Sequence, residues 1–391
     1  MLNVRTQILF TLFFLVSFYP QSQSLLGPRV ENAPEWDQLF IRNNGWFGGD
    51  GIFAIPLDGK EHIPAKDDTE TLFIFSDTMI GKFEGQNLQR DEFSMIHNSV
   101  ALLQGSNPVN EKIKFYWPQK DNGAAQSIFV PNTPNAGSDD YYWLGDGFVN
   151  IDHDSTLYIF AYRIIDLHDG VYPFQQVGVS LIAIPKGDQP PFKEQRQLDT
   201  PFFTQTELNG AQTSFGAAIY VNTASAGAPN PDGYIYVYAI RGVEKELLVA
   251  RIQPQNFTKF EQWRFWNGQR WDESIASAAP ITKYVSNEMS VSSLPDGRLI
   301  LAYQFMTANP EIAVQQGASP IGPFHPMKKI WRTQEAGVDL DFFTYNAKAH
   351  PHLSPPGSLL ISYNVNSFDF WNDILNKPNL YRPRFIQLKL D

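Results

Sequence analysis

The feature that most restricts how this 391-residue chain can fold is a unit that recurs five times. Each copy opens on a small or polar residue, runs through a short strand, turns, and returns on an apolar strand. Internal repetition of this kind decides architecture before any single residue does. The copies are Gly49-Asp50-Gly51-Ile52-Phe53 returning on Leu72 to Phe75, Gly145-Asp146-Gly147-Phe148-Val149 returning on Leu157 to Phe160, and Phe215 to Tyr220 returning on Tyr234 to Tyr238. The last two are Asn287-Glu288-Met289-Ser290-Val291 returning on Leu299 to Tyr303, and Ala349-His350-Pro351-His352-Leu353 returning on Leu359 to Tyr363. Anchors at 50, 146, 216, 288 and 350 are 96, 70, 72 and 62 residues apart, room each time for a four-stranded sheet and its loops. Asp58-Gly59, Asp169-Gly170, Asp232-Gly233, Asp296-Gly297 and Pro356-Gly357 punctuate the hairpins. Helical periodicity is confined to short turns near 36–42 and 370–376.

The expectation is an all-β chain, a five-bladed β-propeller formed as one domain over residues 25–391, with a large β-sandwich as the alternative. Innermost propeller strands run along the central axis, so Asp50, Asp146, Glu288, His350 and His352 are expected at one mouth. Charge narrows the partners. With 30 basic against 41 acidic residues, a net charge of -11 and no local Lys/Arg cluster, nothing would collect phosphates, and no nucleic acid is expected. The absence of cysteine excludes disulfides, a thiolate nucleophile and Cys-ligated zinc. Arg5, the apolar run 8–18 and Ser22-Gln23-Ser24 read as a signal peptide over residues 1–24, giving a secreted or periplasmic monomer with no membrane insertion after cleavage. No Gly-x-Ser-x-Gly elbow or phosphate-cradling loop is present.

The opening unit carries the chemistry. If Gly45-Trp46-Phe47-Gly48-Gly49-Asp50-Gly51-Ile52-Phe53 and Leu72-Phe73-Ile74-Phe75-Ser76-Asp77-Thr78 pair as an antiparallel hairpin, residue 50 falls opposite residue 77. Two carboxylates that close cannot both ionise freely, and one takes up a proton more readily. That is the raw material of an acid and base pair acting on a glycosidic bond. The plainer reading is that both are turn residues tying down backbone N–H groups beside glycine.

These stretches, with His97-Asn98-Ser99, Trp143-Leu144-Gly145-Asp146-Gly147, Asn287 to Val291, Pro351 to Ser354 and Ser362-Tyr363-Asn364, resemble one group. It is a family of secreted bacterial proteins long catalogued as domains of unknown function, some of whose relatives are five-bladed propeller endo-D-arabinanases. The resemblance implies a glycoside hydrolase acting on a furanose polymer, with Asp50 and Asp77 at the positions of the paired aspartates. The connecting loop 58–70, with Lys60, His62, Pro64 and Lys66-Asp67-Asp68, is longer than that pattern and leaves the substrate class open.

Further candidates surround the pair. Glu288, opening the fourth unit, is an alternative proton donor, and Asp146 either tunes its neighbours or closes a turn. His350 and His352, read as one face of a strand, are candidates to bond a sugar hydroxyl; as a pair without an acidic partner they are weak metal ligands, and no metal site is assigned. Trp46, Trp143 and Tyr363 are candidate stacking or binding residues and Asn98 a hydroxyl binder, against the ordinary fate of such aromatics in β cores. No cofactor is required, and a structural calcium on Asp50, Asp77 and Asp146 is an alternative occupant. A non-catalytic carbohydrate-binding or surface-associated protein is the alternative function.

Overall fold

The structure is a computed structural model that describes residues 29–85, 87–168, 173–205 and 211–390. The signal-peptide reading for 1–24 and the Asp169-Gly170 turn lie outside the described residues. What is described is all-β apart from two helices, Pro34–Leu39 and Phe370–Asn376, and isolated single turns. Branched and aromatic residues in runs of up to eleven, closed by Gly and Asp turns, leave the backbone little else to form.

The strands make six antiparallel sheets. The first runs through Phe53–Pro56, Glu70–Phe75, Ser99–Gln104 and Ile113–Tyr116. The second runs through Tyr141–Val149, Leu157–Asp166, Phe174–Ile184 and Arg196–Asp199. The third is built on Gln212–Asn222, Tyr234–Arg241 and Glu246–Ile252, with short strands added at both edges. The fourth holds Met289–Ser293, Leu299–Gln304, Glu311–Gly317 and Lys328–Arg332. In the fifth, Phe342–Ala349, Ser358–Ser367 and Arg384–Lys389 are joined by the N-terminal strand Val30–Asn32, whose Val30 pairs with Leu388. The remaining sheet, Gly45–Gly49, Thr78–Glu84 and Asn87–Ile96, continues three runs of the first sheet past bends in the chain.

The first long strand of each of the five larger sheets packs on that of the next, in chain order. Five apolar clusters fill the wedges between consecutive sheets. They centre on Ile55, Leu72 and Ile182, on Phe160, Phe215 and Val237, on Tyr238, Val249 and Leu301, on Ile300, Val314 and Ile361, and on Phe40, Phe73 and Leu360. The last cluster joins the fifth sheet back to the first. At that seam Gly49 N–H donates to the Tyr381 carbonyl (2.8 Å) and Asn364 Nδ2 donates to the Gly49 carbonyl (3.1 Å). A Cβ on Gly48 would lie 2.1 Å from the Tyr381 carbonyl oxygen, so only glycine admits this approach.

The repeated sequence anchors, expected to open the inner strands, instead mark a break within four of them, and the fourth alone is an opening. The chain leaves strand geometry between Gly49 and Phe53, and the register shifts opposite residues 145–146, 216–217 and 346–347. The fourth inner strand begins at Met289, directly after Glu288. Breaks of this kind re-aim side chains toward a site. The fifth anchor is therefore Asn346, in the left-handed region at φ 61°, and not His350. His350 precedes a single 3-10 turn at Pro351–Leu353, so His350 and His352 do not share a strand face; Pro351 cannot donate to a ladder and ends the strand at Ala349.

Candidate active site

The hairpin register places Phe53 opposite Ile74 and Gly49 opposite Thr78, which puts Asp50 opposite Asp77. Asp50 N–H donates to the Asp77 carbonyl (3.1 Å), and Ser76 N–H donates to the Asp50 carbonyl (2.8 Å). Two acidic residues thus face one another in the bend that interrupts the hairpin, between the ladders on either side. Gly51 beside them has φ 61°, and a Cβ there would lie 2.8 Å from Ser76 Oγ, so glycine lets the chain turn.

The two carboxyls have different surroundings. The Asp50 carboxyl is pushed up to about 8, first by burial and then by the Asp77 charge, with Glu288 adding in the same direction and the Tyr345 and Tyr381 phenols opposing. Tyr345 O–H donates to Asp50 Oδ2 (2.7 Å), while Oδ1 is sealed from solvent without a partner. Asp77 keeps 19% of its side chain exposed and is bonded through one oxygen: Trp143 Nε1–H donates to Oδ1 (3.0 Å), and His97 Nδ1 lies 2.9 Å from it. The His97 ring stacks on Tyr141 at 3.7 Å between centroids, and Trp143 meets Phe174 edge-on at 4.7 Å. Burial and the neighbouring charge thus favour the protonated form of Asp50, and Asp77 is furnished with polar partners.

A second group lies along the inner strands. Glu288 is ion-paired with Lys348, whose side chain is 1% exposed and whose Nζ sits 3.9 Å above the Phe53 ring. Burial raises the Glu288 carboxyl and the ammonium opposes it. Asp146 accepts Gly147 N–H on Oδ1 (2.8 Å) and Ile219 N–H on Oδ2 (2.7 Å), tying the second sheet to the third. Burial nonetheless lifts its carboxyl to about 7. At the other end of the hairpin the long loop after Leu57 crosses to four other sheets' segments: Gly59 abuts Ile151, His62 N–H donates to the Ala226 carbonyl, His62 Nδ1 is 3.3 Å from Ser293 Oγ, and Ala65 N–H donates to the His352 carbonyl. A recess of about 210 Å³ lined by Pro56, Asp58, Lys60, Ile63 and Lys66 lies against this loop and not at the aspartates.

The other sequence candidates divide between the site and the core. Trp143 is at the site. Trp46 is buried and stacked on Phe115 at 4.6 Å. Asn98 is buried with its amide spent on backbone, donating to the Phe129 and Tyr142 carbonyls and accepting Phe129 N–H, which pins residues 127–129. His350 Nε2 meets Ser362 Oγ at 2.7 Å and His352 Nε2 meets Thr71 Oγ1 at 3.3 Å; burial holds both rings neutral, with His352 down to about 3. Tyr363 is buried and donates to Glu335 Oε2 (3.0 Å). Among the described residues no group of three or more His, Cys, Asp or Glu is arranged to hold a metal ion. Sequence reasoning did not single out His97, Tyr345 or Lys348, although His97 sits in a motif it quoted.

A family model described as "Domain of unknown function (DUF5005)" matches residues 33–390. Among solved structures, the chain is similar to a provisionally assigned hydrolase from Bacteroides ovatus ATCC 8483, with a TM-score of 0.69, 21% identity, and coverage of 92% of this chain and 90% of that one. A protein of unknown function from Dyadobacter fermentans DSM 18053 matches at a TM-score of 0.43 and 12% identity, covering 90% and 96%. An alpha-L-arabinofuranosidase from Clostridium thermocellum ATCC 27405 matches at 0.43 and 10%, covering 86% and 89%. No curated protein matches. The first of these structures establishes a shared fold, and the other two are too distant to add to it.

Proposed function

The chain belongs to the DUF5005 family, and we propose that it is an exported five-bladed β-propeller glycoside hydrolase that cleaves a furanose-containing, arabinan-like polysaccharide. The observation that carries this reading is the pairing of Asp50 with Asp77: two half-buried acids joined through a backbone bond, one with an oxygen closed to solvent and bonded by a phenol, the other held by an indole N–H. Five apolar wedges in cyclic order, and an N-terminal strand that completes the last sheet, support the five-bladed ring. The resemblance of the Gly-Asp-Gly and Ser-Asp-Thr stretches to endo-D-arabinanases supports the substrate class, and the apolar N-terminal run supports export.

In this mechanism Asp50 is the proton donor to the leaving glycosidic oxygen, and its Oδ1, closed to solvent in the free protein, has to be uncovered when substrate binds. Asp77 acts on the opposite side of the scissile bond as base or nucleophile, its orientation set by Trp143 and His97. Neither step calls for a cofactor. The test is incubation of the purified protein with plant arabinans and bacterial cell-wall D-arabinans, reading new reducing ends. Asp50→Asn and Asp77→Asn are each expected to lower the rate by roughly 10²–10⁴-fold. Full activity retained by either variant removes that residue from the mechanism. The rate is expected to fall on the alkaline side near pH 8, as Asp50 gives up its proton.

A further inference from the structure

We propose that Asn366 and Tyr345 form a one-way hydrogen-bond relay that fixes which oxygen of Asp50 accepts and which is left to carry the proton, making both of them positioning residues of the site. The inference deepens the reading of Asp50 as donor and rests on it.

The direction follows from donor and acceptor chemistry alone. A side-chain amide is ambiguous by itself, because its oxygen and nitrogen can be exchanged by a flip. At Asn366 the ambiguity is removed, since Ser367 N–H donates to Oδ1 (2.7 Å) and only the oxygen can accept. Nδ2 is thereby turned to the Tyr345 hydroxyl, 3.2 Å away, and it can only donate. The phenol oxygen has accepted one bond, and its single hydrogen points to Asp50 Oδ2 at 2.7 Å. Asp50 Oδ2 is therefore the accepting oxygen. The proton belongs on Oδ1, which has no partner and no access to solvent, because charge left there would be uncompensated.

The backbone holds this chain of bonds in line. Phe343 pairs with Asn366 and Tyr345 with Asn364 across one hairpin, so positions 343, 345 and 366 share the face that meets Asp50. The register shift directly after Tyr345, with Asn346 at φ 61°, ends that regular stretch where the phenol leaves the sheet for Asp50. The titratable groups that bear on Asp50 are Asp77 across the bend, Glu288 from the fourth sheet, Tyr345 from the fifth and Tyr381 from the seam. Of these, Tyr345 makes the hydrogen bond of full geometry to the carboxyl, with its direction imposed by Asn366, while the Tyr381 phenol bears on both Asp50 and Tyr345 from the seam.

The experiment is site-resolved titration of the Asp50 carboxyl by carbon NMR in the intact protein, for the wild type, Tyr345→Phe, Asn366→Leu and Asn366→Asp. Removing the phenol removes a bond to the charged form, so Tyr345→Phe is expected to move the Asp50 midpoint upward by about one to two pH units. Asn366→Asp keeps the size but replaces the donor by an acceptor, turning the phenol hydrogen away from Asp50. It is expected to match Tyr345→Phe or exceed it. Asn366→Leu removes the imposed direction only, and an upward movement of less than one unit is expected. An Asp50 midpoint unchanged in both Tyr345→Phe and Asn366→Asp, with thermal unfolding as in the wild type, overturns the relay. Should Tyr345→Phe fail to fold, the Asn366→Asp titration decides alone. The readout needs no turnover: a moved midpoint in a protein that cleaves no glycan sinks the hydrolase and keeps the relay, and cleavage with unmoved midpoints does the reverse.

Discussion

Two acidic groups face the centre of this molecule, and they have been settled in opposite ways. Glu288 has Lys348 against it, and Asp146 has a backbone N–H on each oxygen. The Asp50–Asp77 pair has no such settlement: one Asp50 oxygen is buried without a partner, and among the described residues the basic group bonded to the pair is His97. A buried acid that is neutralised and bonded joins sheets to one another. One left with a proton it does not readily release, beside a second acid that solvent reaches, is equipped for proton transfer. The difference teaches that nearness to the centre does not identify the working carboxylates and that an unpartnered oxygen alone does not either, since Glu61 has one too; the second, solvent-reached acid beside Asp50 is what sets the pair apart.

The sharpest way to break that comparison is to neutralise one acid from each group. Asp50→Asn is expected to lose roughly 10²–10⁴-fold in glycan cleavage, and Glu288→Gln to lose less than the pair variants while altering stability. Equal losses would move the chemistry inward. Next in size is the ion pair itself. Lys348→Met strands a buried carboxylate and is expected to cost about 3–5 kcal/mol in denaturant unfolding, with Glu288→Gln added to it restoring much of that. No rescue by the double variant would mean that the two side chains are not one unit.

Stability against pH comes third, because the signs differ between regions. Asp50 has a raised folded value, so the folded state holds a proton that the unfolded chain has given up between about pH 4 and 8, and its contribution is lost as pH rises through that window. Asp50→Asn should therefore be the more stable protein above pH 8, by up to a few kcal/mol. His352 has a depressed value, so its contribution is full above the unfolded value near 6.5 and is lost as pH falls toward 3. Thermal scans from pH 7 down to 4 should show a fall in midpoint that His352→Gln reduces. Smallest is Trp143→Phe, which removes one N–H bond to Asp77 and is expected to slow turnover by about tenfold while leaving the unfolding midpoint nearly unchanged.

What could be read in the sequence was what adjacent residues encode. The pairing of 50 with 77 follows from two strands and the chain that links them, and the glycines around Asp50 mark a close approach of backbone. Gly, Asp and Glu at 50, 146, 216 and 288 were legible as interruptions of apolar runs but read as strand openings; in the structure 50, 146 and 216 interrupt the inner run partway, and 288 alone directly precedes its strand. The fifth was misplaced by four residues because Phe342–Ala349, with Thr344, Asn346 and Lys348 in it, lacks an apolar rhythm. The partners of Asp50 and Glu288 could not be read. Tyr345 lies 295 residues from Asp50 and Lys348 lies 60 from Glu288, so only the order of the sheets brings them together. Trp46, Tyr363, His350 and His352 look alike in sequence whether they stack on a ligand or on the core, and here burial against Phe115, Glu335, Ser362 and Thr71 places them inside.

The claim on which the rest depends is that Asp50 and Asp77 behave as one electrostatic unit, and the most direct test is the titration of Asp50 with and without its neighbour. In the wild type the Asp50 carboxyl is expected to titrate near pH 8, and in Asp77→Asn to move down while staying above the ordinary carboxylate range, since burial is the larger cause. An Asp50 that titrates near 4 in both proteins, or near 8 in both, would contradict the account.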